Sequence, residues 1–302
     1  MIIQRLISFF ENRLTSKIEN RLSEKFNESK LLIGKSLSDQ LKDAKSIHLA
    51  EFKVFSQWGD DGIIQYLIRK IPSIKRSFIE FGVENYKEAN TRFLLMNNNW
   101  RGLVMDGDVE NINSIVNDKI YWQHELMAKH AFVTAENVNK LISEENFKGE
   151  IGLLHIDIDG NDYWIWEALT VVHPQIVVME YNSLLGDERS ISIPYSPNFV
   201  RGEAHYSNLY AGASISALHH LALKKGYFFI GCNSAGNNAY FISNKYKDVF
   251  EEVSIKEGYV LSKFREARSE TGALLLKSRE ESLALIKGLS VVNVTTGQNE
   301  KI

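Results

Sequence analysis

Two carboxylates, Asp157 and Asp159, close an apolar run made of Ile151, Leu153, Leu154 and Ile156, and Gly160 follows them. Carboxylates beside an apolar core lose hydration and must find partners. Ligands of open α/β sheets bind outside the carboxyl ends of the strands. This strand end is therefore expected to face a ligand, a metal ion, or both. A helix cap and a buried ion pair would also explain the residues, but two acids at one strand end exceed what capping needs.

Residues from 52 onward contain the elements needed to position that strand end. Short apolar strands are expected at 78–82, 102–108, 120–126, 151–159, 176–182, 227–232 and 238–243. Helix-like stretches lie between them, at 60–71 (stopped by Pro72), 88–98, 109–117, 162–169 and 214–226, with Thr134 as an N-cap for one more. Strands alternating with helices imply a parallel sheet with helices on both faces. The final two strands are joined too tightly for a parallel crossover and must be antiparallel. The expected fold is α/β, a doubly wound, seven-stranded, mostly parallel sheet with an antiparallel last strand and an N-terminal amphipathic helix.

The 302 residues, 44% of them hydrophobic, suffice for one sizeable core. The net charge of −3 gives no basic footprint, so a nucleic-acid partner is not expected. The one cysteine, Cys232, permits no intramolecular disulfide, which fits a cytoplasmic location. No apolar run approaches the roughly 20 residues of a membrane span. Arg5 and Glu11 interrupt any signal-peptide core. Ile3, Ile7, Phe10, Leu14, Ile18, Leu22 and Phe26 recur at helical spacing and define an amphipathic helix about 25 residues long. That stripe is expected to pack on its own domain, to join subunits into a homo-oligomer, or to lie peripherally on a membrane surface. The organisation read from the sequence is a helical extension over 1–50, one domain over 51–245, and a mostly helical extension over 246–302.

The order of elements over roughly 52–245 resembles that of Rossmann-like methyltransferases that use S-adenosylmethionine, in particular the FkbM-type group and related bacterial sugar O-methyltransferases. In that group a strand ending in an acid and a glycine opens the cofactor site, and here the matching segment is FIEFGVEN, with Glu80 and Gly82. Glu84 and Asn85 stand where a second glycine is usual. The resemblance makes Asp106, with Asp108 as a near alternative, the acid that grips the cofactor's ribose hydroxyls. It places Gln57, Asn90 and Thr91 around the same cofactor. Asp157-Ile158-Asp159-Gly160 matches the group's Asp-x-Glu-Gly, and with Tyr163 it also resembles the metal-dependent catechol-type and caffeoyl-CoA-type O-methyltransferases. By that likeness Asp157, Glu180 and Asn182 would bind Mg²⁺ or Mn²⁺ with Asp159 as the base, or, without an ion, the catalytic pair Asp157 and Asp159 would itself hold the substrate hydroxyl as it loses its proton. Here Glu-Tyr-Asn replaces the adjacent Asp and Asn of those families.

The irregular segment 183–213 is rich in polar and aromatic residues, and Tyr195, Arg201, His205 and Tyr206 are candidates to hold sugar hydroxyls. His219 and His220, on a helix, are expected to be structural. The NSAGNN segment (233–238) reads as a turn bordering the site. The resemblance implies an S-adenosylmethionine-dependent O-methyltransferase acting on a sugar or glycan, in a surface polysaccharide or a natural-product glycoside. The alternative is a non-catalytic module of the same fold, recruiting partners in glycan assembly through its N-terminal helix.

Overall fold

The computed structural model describes the backbone of residues 2–302 and the side chains of residue 18 and residues 21–302. In chain order the helices are α1 (Ile2–Gln40), α2 (Ile47–Ala50), α3 (Asp60–Lys70), α4 (Arg92–Asn98), α5 (Val109–Val116), α6 (Lys119–Gln123), α7 (Val138–Glu144), α8 (Asp162–Ala168), α9 (Arg201–Ala204), α10 (Ile215–Lys225), α11 (Ile255–Gly258) and α12 (Arg279–Ile286). The strands are β1 (Ser77–Phe81), β2 (Arg101–Asp106), β3 (Leu126–His130), β4 (Gly149–Ile156), β5 (Val172–Glu180), β6 (Ile191–Ser192), β7 (Tyr227–Cys232), β8 (Asn238–Ser243), β9 (Ser290–Asn293) and β10 (Gln298–Lys301).

Among the described residues, seven strands form one sheet in the order β3-β2-β1-β4-β5-β8-β7. β1 to β5 run parallel, and β8 is antiparallel to both its neighbours. This is the fold class that the alternation of elements predicts. The central strands are buried on both faces, so helices must cover both. Alternation along β1 sorts the side chains: Phe78 joins one apolar cluster with α3, α4 and α5, while Ile79 and Phe81 join another with α7, α8 and α10. Strand order reverses on either side of β1, with β2 on one flank and β4 on the other. A crevice opens beyond the carboxyl ends at such a switch point.

Three elements depart from the sequence reading. The segment 120–126 begins as helix α6 instead of a strand, because the Asp118 carboxylate accepts the Ile120 amide at 3.0 Å and caps the turn; β3 starts only at Leu126. Thr134 is not a cap, since α7 starts at Val138 behind Asn137. Residues 246–302 are not mostly helical: α11 and α12 are short, and 259–278 forms no helix. That stretch is fixed by tertiary bonds instead, with Tyr181 donating its hydroxyl to the Val260 carbonyl and Tyr259 donating to the Ser183 carbonyl at 2.7 Å. β9 and β10 form a hairpin that pairs with β6 in a separate small sheet.

α1 extends past the expected 25 residues to Gln40. Ile18, Leu22, Phe26 and Ile33 are 50–66% exposed along it. Of the four residues expected to be buried against another surface, Ile7 and Leu14 lie outside the described side chains, and Ile18 and Leu22 are exposed on this chain. Among the described residues no helix is long and apolar enough to cross a membrane.

Candidate active site

β1 and β4 approach so closely at their carboxyl ends that only glycine fits between them. Gly82 has φ +72°, and a Cβ there would stand 1.6 Å from the Asp157 carbonyl oxygen. Beyond it, Glu84 and Tyr86 also adopt left-handed backbone, at φ 47° and 60°. Glu84 thus holds, without being glycine, a conformation that glycine adopts freely, at a cost of about 1–2 kcal/mol. Its amide donates to Asp106 Oδ2 at 2.7 Å. The remaining oxygen of Asp106 accepts from the Asp108 amide at 2.9 Å and from Asn111 Nδ2 at 3.0 Å. A carboxylate offers about four acceptor positions, so Asp106 keeps one for a ligand. Asp108 is occupied as the cap of α5.

Glu80 is placed differently. Its Oε1 accepts from the Asn90 amide at 3.0 Å and from His155 Nδ1 at 2.8 Å, and its Oε2 accepts from the Thr91 amide at 3.1 Å and from the Thr91 hydroxyl. Four donors saturate it. Burial pushes the Glu80 carboxyl up, but His155, Thr91 and Asn90 together hold it below its ordinary value. Burial pushes His155 down, yet Glu80 and then Asp157 and Asp60 raise it overall. Glu80 therefore shapes the loop carrying Asn90 and neutralises a buried histidine. Thr91 lies behind it, fully buried, and does not reach the cavity.

At the ends of β4 and β5 three carboxylates converge. Asp157, Asp162 and Glu180 each offer an oxygen, all within 4.8 Å of one another. Asp162 is anchored by the Ile158 amide at 2.8 Å and the Gly160 amide at 2.9 Å. Burial, together with Asp159 and Asp162, raises Asp157 against the opposing pull of His155. Burial and its acidic neighbours push Glu180 well above the carboxylate range. Asp159, in left-handed backbone at φ 58°, turns outward to Arg201 Nη1 at 2.6 Å. Arg201 also holds Glu266 at 2.7 Å. The carboxylate expected to take the proton, Asp159, is thus engaged in an ion pair at the edge of the site.

These residues surround one cavity of about 800 Å³, within the usual range of small-molecule sites. Gln57, Glu80, Gly82, Asn90, Asp106, Asp157, Asp159 and Glu180 line it, as the sequence predicts. Asn182 does not. Its amide donates to the Leu209 and Ala211 carbonyls at 2.9 Å each, and its oxygen accepts the Leu184 amide at 3.0 Å, so every polar atom is spent on the backbone. Asp162 takes its place in the acidic group. The spacing Asp157-x-Asp159-x-x-Asp162 was a visible signal for it, but the first residue of a helix reads as ordinary dipole chemistry. Of the four loop candidates only Arg201 reaches the cavity; the Tyr195 hydroxyl donates to Glu136 at 2.6 Å and His205 pairs with Ser207. Asn237 and Asn238, from the 233–238 turn, border it.

Three buried polar atoms on this wall have no partner: Trp58 Nε1, Asn161 Oδ1 and Asn238 Oδ1. Buried polar groups are almost always paired, so one donor and two acceptors stand ready for a ligand. Trp58 stacks on Phe264 at 5.6 Å, closing one side with apolar surface.

Sequence comparison finds no matching protein family and no matching curated protein. Similar solved structures include an O-methyltransferase from Bacillus cereus in complex with SAH, at 12% identity and TM-score 0.40, over 71% of this chain and 89% of that one. Another is the N-terminal domain of EvdMO1 in the presence of SAH and D-fucose, at 10% identity and TM-score 0.38, over 71% and 94%. A third is a putative RNA methyltransferase from Pyrococcus horikoshii, at 8% identity and TM-score 0.39, over 70% and 96%. At these values none carries an argument about this chain; its strand-end residues do.

Proposed function

We propose that this chain is an S-adenosylmethionine-dependent O-methyltransferase acting on a hydroxyl of a sugar or glycan. The observation that supports this most is the arrangement around one cavity: Gly82 and Asp106 at neighbouring strand ends, and the acids of β4 and β5 across from them. The remaining acceptor position of Asp106 suits a ribose hydroxyl, and the unpaired Trp58, Asn161 and Asn238 atoms suit a ligand with both donors and acceptors. When bound, S-adenosylmethionine would supply an electrophilic methyl on a sulfonium sulfur.

A sugar hydroxyl has a pKa far above neutrality, so its proton needs a destination. Asp157 is the group best placed to accept it, since burial and its acidic neighbours raise its affinity for a proton. Asp162 and Glu180 complete an all-oxygen donor set that fits a hard divalent cation such as Mg²⁺ or Mn²⁺. Such an ion would lower the pKa of a coordinated hydroxyl. Arg201 fixes Asp159 and Glu266 at the cavity mouth. Trp58 and Phe264 exclude water from one side, which favours an in-line transfer through positioning and desolvation. The sugar acceptor rests on the FkbM-type resemblance and on the polar wall formed by Arg201, Asn161 and Asn237.

The test is transfer of an isotopically labelled methyl group from S-adenosylmethionine to a panel of sugar acceptors. Label on a sugar oxygen supports the reading. Binding of the cofactor with no label on any sugar would remove the glycan acceptor.

A further inference from the structure

Beside the cofactor cavity lies a second chamber of about 390 Å³, and the two share Glu180, Arg201, Phe264 and Glu266 as a common wall. Their charges are opposite. The first is lined by eight carboxyl side chains against two basic ones, Lys87 and Arg201, besides His155. The second is lined by five basic side chains against Glu180 and Glu266. Two of the five are compensated: Arg201 faces Asp159 and Glu266, and Lys277 faces Glu281 at 3.6 Å. Among the described residues, Lys263, Arg265 and Arg279 have no carboxylate within 4.0 Å. All three are exposed residues bordering the same chamber.

Ser183, Ser262 and Ser278 line the same space; the Ser183 hydroxyl donates to Ser262 Oγ, so the Ser262 and Ser278 hydroxyls are the ones left to donate. Ser183 and Ser262 lie 2.8 Å apart, and the Ser262 amide donates to Ser183 Oγ at 3.1 Å, so this side of the chamber is a bonded structure. Guanidinium groups match phosphate oxygens in a two-pronged geometry, and serine hydroxyls add single donors. Carboxylates lining the first cavity would repel an anion, so an anionic acceptor needs a compartment of its own.

We propose that this second chamber holds the phosphate of a phosphorylated sugar acceptor, with Arg265, Arg279 and Lys263 as its principal contacts. The sugar hydroxyl would then extend past Glu180, which borders both chambers, toward Asp157. The acceptor orientation rests on the methyltransferase reading; the anion site does not. A sugar 1-phosphate and a nucleotide-linked sugar offer the same chemistry to these side chains. Segment 259–278, pinned near the end of β5 by Tyr181, contributes Lys263, Phe264, Arg265 and Glu266 to the chambers.

The experiment is isothermal titration of inorganic pyrophosphate into the full-length chain and into the triple variant Lys263→Gln, Arg265→Gln, Arg279→Gln. None of the three residues lines the first cavity, so S-adenosylhomocysteine titrated into the same variant checks that it is folded. Saturable pyrophosphate binding, weakened roughly 100-fold or more in the variant, is expected from the removal of three charge-assisted hydrogen-bonding groups. Binding equal in both proteins, or no saturation at millimolar pyrophosphate, would overturn the proposal. Pyrophosphate binding that depends on the three side chains, with no binding of S-adenosylhomocysteine to the wild type, would support the anion chamber while rejecting the cofactor reading. In the methyl-transfer assay, preference for a sugar 1-phosphate or a nucleotide-linked sugar supports the proposal and identifies the source. Equal activity on the unphosphorylated sugar, or preference for a uronic acid, overturns it.

Discussion

Replacing Asp106 by asparagine should weaken S-adenosylhomocysteine binding by roughly 10- to 150-fold. The carboxylate accepts from the Glu84 amide at 2.7 Å, from the Asp108 amide at 2.9 Å and from Asn111 Nδ2 at 3.0 Å. Asparagine keeps one oxygen, which can continue to serve Asp108 and Asn111. Its amino group then meets the Glu84 amide, donor against donor, at the position where the backbone is already left-handed. Leaving that amide unpaired costs about 1–3 kcal/mol of stability. The hydrogen bond that Asp106 would accept from a ribose hydroxyl is charge-assisted and worth about 1.5–3 kcal/mol, which at about 1.4 kcal/mol per decade gives the stated range. Asn111→Ala is the control, since it removes one donor from the same carboxylate without touching the ligand position. Urea unfolding and calorimetric titration of both variants separate the two effects. An unchanged dissociation constant in folded Asp106→Asn, or an equal weakening in Asn111→Ala, would refute direct ribose contact.

Gly82→Ala should destabilise the chain by about 2–5 kcal/mol, combining left-handed strain with overpacking against the Asp157 carbonyl; a loss below about 1 kcal/mol in urea unfolding would show that the strand ends can part freely. Burial raises Asp60, Asp157, Asp162 and Glu180, so the native chain holds protons that the unfolded chain releases, and stability falls as pH rises through those raised values. The raised His155 acts in the same direction, because its charged pairing with Glu80 disappears on deprotonation. The unfolding free energy should therefore fall between about pH 4, the ordinary carboxyl value, and about pH 7, the raised value of Asp157, by about 1.4 kcal/mol per pH unit for each proton involved, and a flat profile in thermal unfolding would contradict the buried acid group. Millimolar Mg²⁺ or Mn²⁺ should raise the melting temperature of the wild type and not of Asp162→Asn, because a ligand bound only to the native state stabilises it. No rise in the wild type would eliminate the ion and leave proton transfer to a carboxylate.

The sheet was legible in the sequence because β1, β2, β4 and β5 are short apolar runs separated by helix-like segments, as a parallel core requires, and β7 and β8 are apolar runs joined by a tight turn. β3 was less legible because it is an edge strand with two of its five residues polar, and the aromatic run before it was diverted into α6 by the Asp118 cap. The shape of 259–278 is set by bonds to Tyr181 and Ser183, some 80 positions away, which local propensity cannot reveal. Within the site, residue type located the acids but not their partners. Glu80 and Asp106 look alike in sequence, each closing an apolar strand. Four protein donors saturate Glu80, whereas Asp106 keeps one position unused. Asn182 and Asp162 exchange roles for a similar reason: a backbone turn consumes the amide of Asn182, while the first turn of α8 aims Asp162 at Asp157 and Glu180.

A crystal structure of the chain with S-adenosylhomocysteine tests the central claim most directly. The ribose hydroxyls should lie within hydrogen-bonding distance of Asp106, with the sulfur directed toward Asp157 and Glu180 at the ends of β4 and β5. Density for the compound elsewhere, or none at saturating concentration, would contradict the account.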